Sequence, residues 1–114
     1  MQLELKTWAY DILSAIHEIE LFLEDVQDFS VFKADLKTRR AIERNLEIIG
    51  EAMNRMLRLD NSIEFKEARK IVDTRNRIIH GYDTVSDEVV WSIVTTNLKT
   101  LKLEVEAFLD YHSG

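Results

Sequence analysis

The chain has no cysteine and no proline, and only three glycines among its 114 residues. Without cysteine there is no disulfide, no thiol chemistry and no cysteine-ligated zinc. Without proline nothing forces a break inside a helical segment. Gly50, Gly81 and Gly114 stand apart, so no glycine-rich loop is available to cradle a phosphate. No Gly-x-Ser-x-Gly elbow occurs. No apolar run approaches the roughly 20 residues that span a membrane. The opening MQLELKTWAY lacks the basic region, apolar region and cleavage site of a secretory leader, so the expected location is cytoplasmic.

What is present is 46% hydrophobic and 32% charged residues, the balance of a globular protein. The length predicts one domain over residues 1–114, with one core. The net charge of −6 is unevenly spread. Residues 1–32 hold one lysine against seven acids, and residues 81–114 hold two lysines against six. Residues 33–80 hold twelve Lys and Arg against eight acids. A basic middle between acidic ends concerns a ligand more than the total does, because a ligand feels the local field. Long helices with solvated charges of both signs would give the same count.

Apolar residues recur at three- and four-residue steps in four stretches, as amphipathic helices require. The first runs from Leu3 to Val26, through Leu5, Trp8, Ile12, Ala15, Ile19, Phe22 and Val26. The second, Asp35 to Leu59, carries Leu36, Ile42, Leu46, Ile49, Met53, Met56 and Leu57. The third opens at Asn61-Ser62, good N-cap residues, and runs to His80, where Gly81 supplies a stop. The fourth has Ser86 as N-cap, acids at Asp87 and Glu88 in the first turn, and a stripe from Val90 to Phe108. The expected fold is all-α, an antiparallel four-helix bundle with a short extra helical turn between helices one and two. Trp8 and Trp91 are expected in the core, and Phe29 and Phe32 to pin the connecting turn.

Bundles of this kind often house paired metals held by Glu-x-x-His. Three residues before His17, His80 and His112 stand Ser14, Arg77 and Leu109, so that motif is absent, as is His-Glu-x-x-His. No metal or cofactor is expected. His17 reads as a boundary residue and His112 as part of a frayed tail.

The densest chemistry is RNRIIHGY, residues 75–82. Asn76 and His80 are four apart and share a helix face. Arg75 and His80 are five apart, about 140° around an ideal helix. They converge only if His80 swings at the helix end or a second copy of the chain completes the site. Histidine is the natural proton-transfer group near neutral pH, and arginine the natural fork for a phosphate. Together they suit attack of a ribose 2′-hydroxyl on its neighbouring phosphate. A capped basic helix end, with Tyr82 covering the bundle, is the plainer alternative.

Arg75-Asn76-x-x-x-His80-x-Tyr82 at the end of the third long helix resembles the signature of the HEPN superfamily, and within it the HepT-like proteins. RNLEIIGEA at residues 44–52, DILSAI at 11–16 and VWSIV at 90–94 extend the resemblance along essentially the whole chain. It implies a HEPN-like helical bundle that forms a homodimer with two Arg…His motifs in one cleft. It implies a metal-independent RNA endonuclease toxin, with Arg75 and His80 catalytic and Asn76 supporting them, that leaves a 2′,3′-cyclic phosphate. It also implies a partner, a minimal nucleotidyltransferase antitoxin of the MntA-like type, that silences the toxin by adenylylating Tyr82.

Many relatives carry a proline-containing turn with a tryptophan before the third helix, where this chain reads Asp60-Asn61-Ser62-Ile63-Glu64-Phe65. Arg44, Glu47 and Glu51 admit two readings: lining of the cleft, or ion pairs along one helix. The whole-chain alternative is a non-catalytic helical subunit that regulates a nucleotidyltransferase.

Overall fold

The stripes become helices in the expected order. The computed structural model describes residues 2–80 and 86–112, the side chains of 68 and 78–80 excepted. Helix α1 spans Leu3–Leu23, α2 Phe29–Ala34, α3 Leu36–Leu59, α4 Ala68–His80 and α5 Asp87–Ser92. A π-helical turn, Ile93–Asn97, joins α5 to α6, Leu98–His112. There is no strand among the described residues. Helix α3 lies between α1 and α4, and α6 covers α1. The pairing of α1 with α6 is antiparallel: Tyr10 and Leu13 lie beside Leu103 and Leu109, Ile19 and Leu23 beside Val94 and Leu98.

Polar residues at the helix starts set the boundaries. Asp28 accepts the Val31 N–H at 3.1 Å, Asp35 the Thr38 N–H at 3.0 Å and Ser86 the Val89 N–H at 3.2 Å. Each satisfies a backbone donor that a helix start leaves unpaired. Those bonds also hold the Asp28 and Asp35 carboxyls below their ordinary pKa, chiefly through Val31 N–H for the first and the Thr38 hydroxyl for the second.

The third long helix starts later than Asn61-Ser62. The Asp60 carboxylate takes both the N–H of Ser62, at 3.0 Å, and its hydroxyl. This local turn competes with helix formation and wins. The segment then crosses α6, burying Phe65 edge-on against Phe108 at 5.9 Å. Glu104 accepts the Lys66 N–H, and Glu67 accepts from the Asn97 amide, both at 2.7 Å. Helix α4 is therefore only 13 residues long.

The core runs through Ile12, Ile16 and Ile19 of α1, Ile42, Leu46, Ile49, Met53 and Met56 of α3, Ile71 of α4, and Ile93, Leu101 and Val105 toward the C-terminus. Trp8 and Trp91 sit at its margin, half-buried, rather than inside it. Ala9, Ala15 and Ala52 occupy interior positions instead, and small residues let helices approach too closely to admit an indole. Phe22 is exposed, and α1 stops before Val26. Phe32 is fully buried and, with Phe29, packs on Trp91 at ring distances of 5.2 and 6.2 Å, so α2 is pinned as the sequence suggests. His112 belongs to α6, its ring 4.6 Å from Phe108, not to a frayed tail.

Thr95 lies within the π turn. Its hydroxyl bonds the Trp91 carbonyl at 2.7 Å, the acceptor an α-helical N–H would use, and the Leu98 N–H reaches the Ile93 carbonyl five residues back.

One contact fixes α4 on α3. A Cβ added at Gly50 would stand 2.4 Å from Cβ and 2.8 Å from Cγ of Arg75, and 3.4 Å from the Ile71 carbonyl oxygen. The first two atoms are the root of a side chain, so only movement of the helix would relieve the clash. Gly50→Ala gains about 1 kcal/mol of helix propensity, but overpacking costs about 1–3 kcal/mol. A net loss of stability is expected by chemical denaturation, together with displacement of Arg75. Phe32→Ala should cost about 3–5 kcal/mol by the same measurement, and Phe29→Ala less.

Candidate active site

The close approach at Gly50 lays the aliphatic stem of Arg75 on the α3 backbone and points its guanidinium at Glu51, the next residue along α3. Arg75 Nη2 donates to Glu51 Oε2, across the two helices. Arg75 Nη1 donates to Asn76 Oδ1 at 2.9 Å. The Nε of Arg75 is buried and has no partner among the described residues. The other Glu51 oxygen, Oε1, accepts from Arg55 Nε at 2.9 Å. One carboxylate thus serves two guanidiniums, one 21% and the other 55% exposed.

These groups open on a cleft of about 370 Å³. Trp8 and Asp11 of α1 form one wall, and Arg44, Glu47 and Arg55 of α3 the other, with Glu51 and Arg75. Of the two readings of Arg44, Glu47 and Glu51, the ion pair along one helix is found for Arg44 and Glu47, while the cleft they line here lies within one chain rather than between two. Arg44 and Glu47 pair at 3.2 Å, three residues apart, and all three residues line the cleft. Glu51, however, pairs with Arg55 and Arg75 rather than with either of them.

The structure brings Arg75 and Asn76 together. His80 is the last residue of α4, but its side chain lies outside the described residues, as does Tyr82. One cleft residue and one pairing were missed in the sequence. Trp8 lines the cleft instead of filling the core, giving this wall an aromatic surface. Glu51 is the interhelical partner of Arg75, and the available signal was Gly50 itself, a glycine in mid-helix directly before a carboxylate.

The Arg55 hydrogen bond is the largest influence holding the Glu51 carboxyl below its ordinary pKa. Burial opposes it, and the charges of Arg75, Arg55 and Arg58 add to it. A carboxyl whose pKa is lowered by folding stabilises the fold above its unfolded-state value, and that stability is lost as pH falls through the lowered one. Glu51→Gln should therefore melt below the parent at neutral pH. The gap should narrow in thermal melts carried from about pH 7 down through the ordinary carboxyl range, as Glu51 takes up a proton and that advantage is lost.

No helix among the described residues is long and apolar enough to cross a membrane. No solved structure matches the chain. A candidate RNase of Methanocaldococcus jannaschii is 33% identical over 105 residues, which cover 90% of this chain and 94% of the relative. A candidate ribonuclease HepT of Thermococcus cleftensis is 36% identical over 105 residues, covering 89% of this chain and 92% of the relative. The family model described as ribonuclease HepT-like matches residues 12–108, taking in α2, α3, α4 and the cleft-lining Arg44, Glu51 and Arg75. The helical bundle, the RNRIIHGY segment and this match agree, and the chain belongs to the HepT-like ribonuclease family.

Proposed function

We propose that the protein is an RNA endonuclease whose reaction is carried by Arg75 and His80. The observation that carries this reading is Arg75 itself: a largely buried guanidinium, hydrogen-bonded to Asn76, on the wall of an open cleft in a HepT-like chain. His80, as the neutral imidazole, takes the proton of a ribose 2′-hydroxyl. The 2′-oxygen attacks the adjacent phosphorus, and the bond to the 5′-oxygen breaks. The imidazolium returns its proton to that departing oxygen. Arg75 binds the phosphorus oxygens as charge builds on them, and Asn76 steadies the guanidinium. The ends are a 2′,3′-cyclic phosphate and a 5′-hydroxyl, and the scheme calls on no metal ion.

A homodimer places two such motifs in one cleft, which removes the angular problem of an arginine and a histidine five residues apart. The proposed partner is a minimal nucleotidyltransferase antitoxin. AMP on Tyr82, two residues past His80, brings a phosphate and a purine beside the cleft, where they oppose RNA by charge and bulk.

The test is RNA cleavage by purified protein in excess EDTA, beside Arg75→Ala, His80→Ala and a DNA oligonucleotide of the same sequence. The expected result is cleavage of RNA alone, ending in a cyclic phosphate, with a loss of about 10²-fold or more in either variant. RNA cleavage retained in His80→Ala would overturn the assignment. No cleavage by a protein whose mass shows Tyr82 unmodified would favour the second reading, a regulatory subunit of a nucleotidyltransferase. The prior occupation of Arg75 by Glu51 speaks for that reading.

A further inference from the structure

We infer that Glu51 is a built-in competitor for the phosphate, a positioning residue that occupies Arg75 until RNA displaces it onto Arg55. This rests on the reading of Arg75 as the phosphate-binding group.

An arginine grips a phosphate through a pair of parallel N–H bonds. In this structure both terminal nitrogens of Arg75 are already engaged, Nη2 by Glu51 and Nη1 by Asn76. Each terminal nitrogen thus has one of its two N–H donors taken, and a phosphate gripping through Nη2 meets the Glu51 carboxylate already there. The stem cannot move far, because Cβ and Cγ lie against the α3 backbone at Gly50. What can move is the carboxylate. Glu51 is more exposed than Arg75, 36% against 21%, and its second oxygen is already on Arg55.

If Glu51 turns wholly to Arg55, every charge stays paired. Arg55 keeps the carboxylate, and the phosphate takes its place on Arg75. Breaking a partly buried pair is costly chiefly when one ion is left alone, and this exchange leaves none.

The experiment measures binding of a fluorescent RNA oligonucleotide to His80→Ala protein, so that cleavage does not intervene. Glu51→Gln removes the competing charge but keeps an oxygen that can accept from Arg55. It should tighten binding about tenfold in the Arg75 protein and by no more than the Glu47→Gln control in Arg75→Ala. Glu47→Gln is the control, since Glu47 lines the same cleft but pairs with Arg44. Its smaller effect should be the same whether or not Arg75 is present. Arg55→Ala is the second variant and should weaken binding more when Glu51 is present than in Glu51→Gln. Thermal melts check that each variant is folded.

The inference is overturned if Glu51→Gln binds no tighter than Glu47→Gln, or if its excess over that control survives in Arg75→Ala. RNA cleavage by the parent together with either result would sink the inference alone. Tightening that depends on Arg75, in a protein that cleaves no RNA with His80 intact, would sink the nuclease reading and leave Glu51 as the competitor.

Discussion

The site depends on two helices touching where one of them has no side chain. Gly50 lets α4 lie against α3 closely enough that the stem of Arg75 is wedged on backbone. From that wedge the rest follows. The guanidinium is aimed at Glu51 rather than at solvent, and it is partly desolvated, which strengthens its electrostatic contacts. A flexible side chain is thereby given a fixed place without a dedicated loop. Glycine in mid-helix is unfavourable for the isolated helix, and that local cost is offset by the contact it permits.

Within the cleft the basic excess of residues 33–80 does not become a basic face. Arg39 pairs with Asp87, Arg40 with Glu43, Arg44 with Glu47 and Arg55 with Glu51. In the cleft three arginines stand with three carboxylates, counting Asp11. Sequence counting treats these charges as if they added, whereas in space most of the field cancels within a few ångströms. An anion is therefore not drawn in by bulk attraction. It has to exchange partners with what is already there, so selectivity lies in geometry rather than in net charge.

Local signals were legible in the sequence where local chemistry decides. Asp35 and Ser86 cap as their residue types and positions suggest, and the α3 stripe is buried from Ile42 to Met56, while Leu36 at its start is exposed. Asn61-Ser62 misled, because Asp60, one residue earlier, captured Ser62 for a turn. Trp8 and Trp91 misled for a different reason: size and hydrophobicity argue for the interior, but the spacing between helices is set by the alanines. Arg75, Asn76 and His80 were legible as a motif on one helix. The Glu51–Arg75 pair was not, since 24 residues separate its members and nothing in one helical period connects them.

The wide turn at Ile93–Asn97 has a consequence for how this chain can change. A five-residue hydrogen-bonded turn holds one residue more than an ordinary helical turn, and each residue advances the helix by about 100°. Val90 before the turn, Val94 within it, and Leu98, Leu101, Val105 and Leu109 from its end onward face the same core, the extra residue being taken up between them. A further residue added there would rotate α6 as a block, turning it away from α1 and removing the support beneath Phe65, whereas losing one would leave an ordinary helical turn. The segment is guarded against insertion more strictly than against deletion.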